Sequence, residues 1–261
     1  MLHRNDSVGL LLISQPSHAW ISGQLASSWG NPEVGLDRAG PELLIAAEQH
    51  DIAWLDWEAR PTLNLETGLP HTFSQLPTLQ HIDVWSNATS RALSYGRLPA
   101  LLISMHGTYL YERFHDYESD TPEEASAARA FLKRELEVQD RLTAHLNHRS
   151  DISQTSVNHY RRLVSLWDAM SLSLCMGIHE DEDREFRGVP TLGPDITITA
   201  RPISTADEAL TVIPWPFVID RVELYCEARR LDGVFDDEEA MRAAIRDAPS
   251  EAVRISLVRE N

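Results

Sequence analysis

Lysine is nearly absent from this 261-residue chain: Lys133 is the only one among 23 basic residues, so Schiff-base chemistry has one candidate, in a charged helical stretch that reads as solvated. Basic charge as a whole is in short supply. Forty acidic residues leave a formal charge of −17, the wrong sign for gripping nucleic acid by its phosphates or for docking on an anionic membrane. Cysteine is scarce too. Cys175 and Cys226 stand far apart in apolar surroundings, which supplies neither a disulfide framework nor a metal knuckle and reads as two buried free thiols. The longest apolar runs, Leu10–Ile13 and Leu98–Ile103, are too short to span a bilayer, and no basic segment leads into a long apolar one. The expectation is a soluble, cytoplasmic protein. A Gly-rich phosphate loop, G-x-S-x-G, C-x-x-C and H-E-x-x-H are all missing, as are fixed-period repeats.

With 43% apolar residues the chain can build a core. Residues 8–14 form an apolar run read as a strand that leads into a helix cap at Gln15-Pro16-Ser17. From there to Gly177 the texture is helical. Ile21, Leu25 and Trp29 recur at helical steps; Pro41 opens a second helix; a loop runs from Arg60 to Pro77. Pro77 starts a third helix with Val84, Trp85, Ala88 and Ala92 on one face, and a fourth extends from about Leu98 to Phe114. Thr121-Pro122-Glu123-Glu124 is a capping box for a long helix, and another carries Tyr160, Val164, Trp167, Leu172 and Cys175. After an acidic stretch from His179 to Glu185, alternation at Ile196/Ile198, Val222/Leu224/Cys226 and Val253/Ile255/Leu257 predicts strands, with one short helix near Asp236. The reading is mainly α: a strand at 1–14, a helical metal-binding domain at 15–177, and a small β-rich C-terminal part at 178–261 that pairs with the N-terminal strand.

The chemistry available is histidine. His18 stands one helical turn before Ile21, His50 ends the second helix on its buried side with Asp51 next to it, and His81 shares the face of Val84, Trp85 and Ala88. His106 follows Leu102 on the fourth helix, and Asp168 falls among Val164, Leu172 and Cys175, where an unpaired carboxylate is costly. Any one of these has a dull explanation as a hydrogen-bonded core residue. Together they point inward from several helices, and one shared cation would partner them all. Imidazole nitrogen with carboxylate oxygen suits iron, manganese or zinc.

This order, a first His, an adjacent His-Asp pair, two further His and a late Asp, resembles the HD-domain superfamily of metal-dependent enzymes. The resemblance implies an HD-domain-like helical bundle and two transition-metal ions. Asp51 would bridge them, His18, His50 and Asp168 would hold one, and His81 with His106 the other. His71 is an alternative to His81, and His115-Asp116 is a second His-Asp pair, read as an exposed decoy. Where many HD enzymes continue with glycine and a basic residue, this chain has Ala53 and Trp54. The stretches I-S-Q-P-S-H-A-W, H-D-I-A-W-L-D-W-E and W-D-A-M-S-L-S-L-C also look like an uncharacterised bacterial family, a domain of unknown function, over nearly the whole chain.

Two chemistries use such a site: oxidation of a small chelating substrate with dioxygen at two irons, as in the myo-inositol and phosphonate oxygenases, and hydrolysis of a phosphoester by a metal-bridging hydroxide. Of the basic residues close in sequence to the ligands only Arg60, Arg91 and Arg97 qualify as phosphate partners, while six tryptophans fall within the first 167 residues, so oxidation is placed first. Asp51 and Tyr109 are the catalytic candidates, with His71 and Asp56 as supporting ones. A non-catalytic protein braced by metal, or docking through its acidic surface, is the third reading. The expected partner is a small-molecule substrate, and the oligomeric state is left open.

Overall fold

The computed structural model describes residues 1–150, 152–178, 182–203 and 209–260. Strands β1 (Leu2–Asn5) and β2 (Leu10–Ile13) form an antiparallel hairpin whose turn is held by Asp6, which accepts the N–H groups of Val8 and Gly9. Ser14 caps α1 (Gln15–Ser28) by accepting the Ser17 N–H, and Pro16 sits in the first turn, where no donor is needed. Helix α2 (Pro41–Glu48) ends just before His50-Asp51; the Ile52–Trp54 turn then leads into α3 (Leu55–Ala59). The expected loop beyond Arg60 contains a small hairpin, β3 (Leu63–Asn64) with β4 (Leu69–Pro70). The single helix expected after Pro77 is two, α4 (Thr78–Trp85) and α5 (Ala88–Ala92); Ser86, between them, turns its hydroxyl back onto the Ile82 carbonyl. Helices α6 (Arg97–Phe114), α7 (Pro122–Leu146) and α8 (Gln154–Met176) follow, α7 with the Thr121/Glu124 capping box and α8 closed by Gly177 at φ 88°.

Strands β5 (Arg184–Val189), β6 (Ile196–Pro202), β7 (Leu210–Ile213) and β8 (Arg221–Leu231) precede α9 (Glu238–Asp247) and β9 (Ser250–Val258). They join the N-terminal hairpin in one seven-stranded sheet of order β1-β2-β8-β9-β7-β6-β5, antiparallel except where β7 meets β9. Of the acidic stretch at His179–Glu185, residues 179–181 lie outside the described residues.

This architecture overturns the expectation of a mainly α, HD-domain-like helical bundle with a small β-rich appendage. The chain is 49% helical and 20% strand, and its sheet curls into a half-barrel. The physical reason is a shared core. Val222, Leu224, Cys226 and Ala228, alternate residues of β8, are all buried in one apolar cluster with the helices. Gln24 of α1 exchanges hydrogen bonds with both the N–H and the C=O of Tyr225 on β8. Trp29, from the end of α1, stands edge-on to Trp167 of α8 at 5.7 Å and to Phe217 at 5.8 Å. A sheet that supplies one wall of the main core cluster is a full part of the fold and not an appendage. Both cysteines are free and buried, and Lys133 is exposed. Among the described residues, no helix is long and apolar enough to cross a membrane.

Candidate metal centre

Packing of α1 against α2 and α8, and of α6 against α2 and α8, gathers four segments around one buried spot. The first turn of α1 contributes His18, the turn after α2 contributes His50 and Asp51, α6 contributes His106, and α8 contributes Asp168; all five are buried. Their donor atoms fall into two overlapping groups, His18/His50/Asp168 and His50/Asp51/His106, each with ligand atoms within 4.8 Å of one another. His18 Nε2 is 2.7 Å from Asp51 Oδ2; His50 Nε2 is 3.3 Å from Asp168 Oδ1 and 3.7 Å from Asp51 Oδ2; His106 Nε2 is 3.7 Å from Asp168 Oδ2.

The surroundings fix which nitrogen of each ring faces inward. His50 Nδ1 lies 2.8 Å from the Ala47 carbonyl, which can only accept, so Nδ1 carries the hydrogen and Nε2 presents its lone pair to the carboxylates. Ser171 donates its hydroxyl to the Asp168 carbonyl, which leaves its oxygen to accept from His18 Nδ1 at 2.9 Å. His18 Nε2 meets Asp51 Oδ2 at 2.7 Å, and since an ionised carboxylate only accepts, a proton bridges that pair. At His50 a lone pair faces two carboxylates in a buried site, which calls for a cation between them. His50 Nε2 and His106 Nδ1 lack hydrogen-bond partners among the described residues, and so does Gln15 Oε1, whose amide donates to Asp51 Oδ2 at 3.1 Å. Leaving such a group bare costs roughly 1–3 kcal/mol. The donor set fits a transition-metal ion: nitrogen and carboxylate oxygen, with tautomers held by backbone and hydroxyl partners as metal-bound histidines usually are.

Without a metal, a proton takes the cation's place. Burial opposes charge on His50, but the Asp51 and Asp168 carboxylates overcome it and lift its pKa to about 9. The two carboxylates, penalised by burial but facing His50 and its neighbouring imidazoles, are held below their ordinary range. His106 is equally buried but stands farther from the carboxylates, 3.7 Å from Asp168, and burial depresses its pKa to about 4.

His81 stays outside this gathering. Its ring lies between Tyr111 and Trp85, accepting from Trp85 Nε1 at 3.3 Å through Nε2 and meeting the Tyr111 hydroxyl at 2.7 Å through Nδ1; burial lowers its pKa to about 4. His71, the alternative, is held by Thr62 in the β3–β4 region, and Asp56 is exposed and paired with Arg91. Tyr109 is half-buried under the guanidinium of Arg161. Beside Asp168 opens a cavity of about 580 Å³, and His81, Tyr109 and Tyr111 share its wall with Phe73, Leu110 and Leu172. No arginine, lysine or tryptophan lines it; the buried tryptophans belong to the core. His115, expected in an exposed loop, is half-buried in the same wall and bonded to Asp120 at 2.8 Å.

Sequence reasoning passed over Gln15 and Ser171. Both stand one helical turn from a proposed ligand, Gln15 three residues before His18 and Ser171 three after Asp168, and that spacing was the available signal.

Residues 1–233 match the model of a family described as "Protein of unknown function (DUF3891)". No curated protein and no solved structure matches the chain.

Proposed function

The chain belongs to the DUF3891 family, and we propose that it is a metal-dependent enzyme of HD type that oxidises a small, weakly charged substrate with dioxygen at iron. One observation carries this reading: three buried imidazoles and two carboxylates bring their donor atoms together in two overlapping groups, next to a cavity without an arginine or lysine in its wall. A phosphoester enzyme would be expected to line its pocket with cations for the substrate's charge. The nearby arginines do not serve: Arg60 and Arg97 are exposed and Arg91 is engaged by Asp56.

His18, His50, Asp51 and Asp168 would hold the first ion. His50 has one inward nitrogen and can serve one ion, so a second ion would rest on His106 and a shared carboxylate, His81 being engaged by Trp85 and Tyr111. Bound iron would supply the electron transfer to dioxygen that none of the side chains can perform. The chain's own residues do the rest. Gln15 and Ser171 orient Asp51 and His18, Ala47 fixes the tautomer of His50, and the leucines and phenylalanines of the cavity exclude water.

Metal analysis of the purified protein, with oxygen uptake after anaerobic loading with iron(II), tests the reading. Iron is expected to co-purify, and His50→Ala and Asp168→Ala are expected to lose it. Hydrolysis of an aryl phosphate with manganese, lost in the same variants, would replace oxidation with hydrolysis. A protein that retains no transition metal under any loading would refute the enzyme reading and leave a docking role.

A further inference from the structure

We infer that the cavity beside the metal centre binds an uncharged small molecule with an oxygen acceptor on an apolar body, and that the Tyr111 hydroxyl selects it. This names the substrate class for the function proposed above and rests on that reading for its catalytic meaning, but the binding itself requires no metal.

The argument starts from the direction of one hydrogen bond. An indole N–H can only donate, so Trp85 Nε1 makes His81 Nε2 an acceptor at 3.3 Å. A neutral imidazole with Nε2 accepting carries its hydrogen on Nδ1, and Nδ1 lies 2.7 Å from the Tyr111 oxygen. Donation therefore runs from His81 to Tyr111, and the hydrogen of the Tyr111 hydroxyl is not used on His81. No other partner for that hydroxyl occurs among the described residues, although Tyr111 is only 2% exposed and stands in the cavity wall. A buried donor without an acceptor is costly, and an oxygen atom brought in by a ligand satisfies it.

The donor is also held in place. The Tyr111 ring packs against Phe131 at 5.0 Å and His115 at 5.1 Å, and Trp54 stands edge-on to the His81 ring at 5.5 Å. His81 thus acts as a positioning residue: by donating to Tyr111 it turns the phenol hydrogen outward, and it makes that hydrogen a better donor by polarising the oxygen. The remainder of the wall determines the ligand's other properties. Phe73, Leu76, Leu110, Phe114 and Leu172 receive an apolar body, and about 580 Å³ is within the range of small-molecule sites. The Asp116 carboxylate in the wall, with no arginine or lysine among the lining residues to offset it, disfavours a carboxylate or a phosphate.

Three probes of similar size separate these features: acetophenone, with a neutral acceptor; ethylbenzene, with none; and benzoate, with a charged one. Binding is measured by titration calorimetry and ligand-observed NMR on the chelator-stripped full chain and repeated on the metal-loaded protein. Acetophenone is expected to bind the wild type more tightly than benzoate. Tyr111→Phe is expected to weaken acetophenone about tenfold, the value of one well-placed hydrogen bond, while leaving ethylbenzene unchanged. His81→Phe should weaken acetophenone by a smaller factor, again without moving ethylbenzene. Equal losses for acetophenone and ethylbenzene in Tyr111→Phe would show a merely structural tyrosine and overturn the inference. A preference for benzoate, or no binding of any probe to the wild type, would overturn it as well. Absence of metal from the chain would defeat the preceding proposal without altering these ratios.

Discussion

Two polar clusters of this molecule are built on opposite rules. At the edge where the N-terminal hairpin joins the sheet, Arg230 of β8 has a side chain only 8% exposed and donates to both oxygens of Asp6 and both oxygens of Glu251 at 2.7–2.9 Å. Every strong donor there meets an acceptor, and the arrangement pins the β1–β2 turn to β8 and β9. At the centre framed by α1, α2, α6 and α8, acceptors outnumber donors: imidazole lone pairs and carboxylates face one another, and buried nitrogens lack partners. The first cluster is complete as folded and reads as structural. The second leaves polar atoms unpartnered, and on the function proposed above a metal ion would complete it.

That contrast breaks most severely if His50→Ala or Asp168→Ala still binds metal. Both are expected to abolish binding, more than about 100-fold, and with it the stabilisation of about 2.7 kcal/mol that a ligand gives at 100 times its Kd. Metal titration followed by thermal unfolding checks this. Next in size are Ser171→Ala and Gln15→Ala, which remove the partners orienting His18 and Asp51; affinity should fall about 10- to 100-fold by the same titration. Arg230→Met sharpens the comparison from the other side. It should lower Tm by freeing two carboxylates at the sheet edge while metal content stays at the wild-type level.

A pH series on the metal-stripped protein reads the charge assignment directly. His81 and His106 stay neutral in the fold down to about 4, whereas in the unfolded chain they bind protons from the ordinary value of 6.5, so their contribution is lost as pH falls through that window. His50 keeps its proton up to about 9, so its contribution is full below 6.5 and is lost as pH rises toward 9. Stability by urea unfolding should therefore peak near pH 6.5, and a monotonic profile across this range would contradict the assignment. The smallest effects belong to His71→Ala and Asp56→Ala, which lie away from the converging donors; metal content should not change, and stability should move by no more than about 0.5 kcal/mol.

How much of this was legible follows from the kind of signal each feature leaves. Local signals survived. The Thr121/Glu124 capping box, the stop at Gly177 and the α6 boundaries depend on contacts within a few residues, and the structure has them. His18, His50, His106 and Asp168 could be placed on inward faces because helical periodicity tells inside from outside. The small hairpin β3–β4 carried no such period, since two-residue strands have none to show. His81 reads as inward by the same periodicity, and it is half-buried, but periodicity does not say which neighbour it meets. The share of the sheet was misjudged for a related reason. Alternation marked β6, β8 and β9, but nothing local in β8 records that its buried side lies on α1 and α8.

The sequence by itself determined the charge sign, the near-absence of lysine and the lack of a phosphate loop, the long helices and the α7 capping box, and the set of imidazoles and carboxylates that could meet. These depend on composition and on contacts within one or two helical turns. Only the tertiary structure decided that five of those groups share one centre while His81 turns to Tyr111, and that the sheet is a full layer of a common core. Such outcomes depend on the crossing of elements distant in the chain, where the side chain that fills a space is chosen by its neighbours in three dimensions and not by its neighbours in sequence.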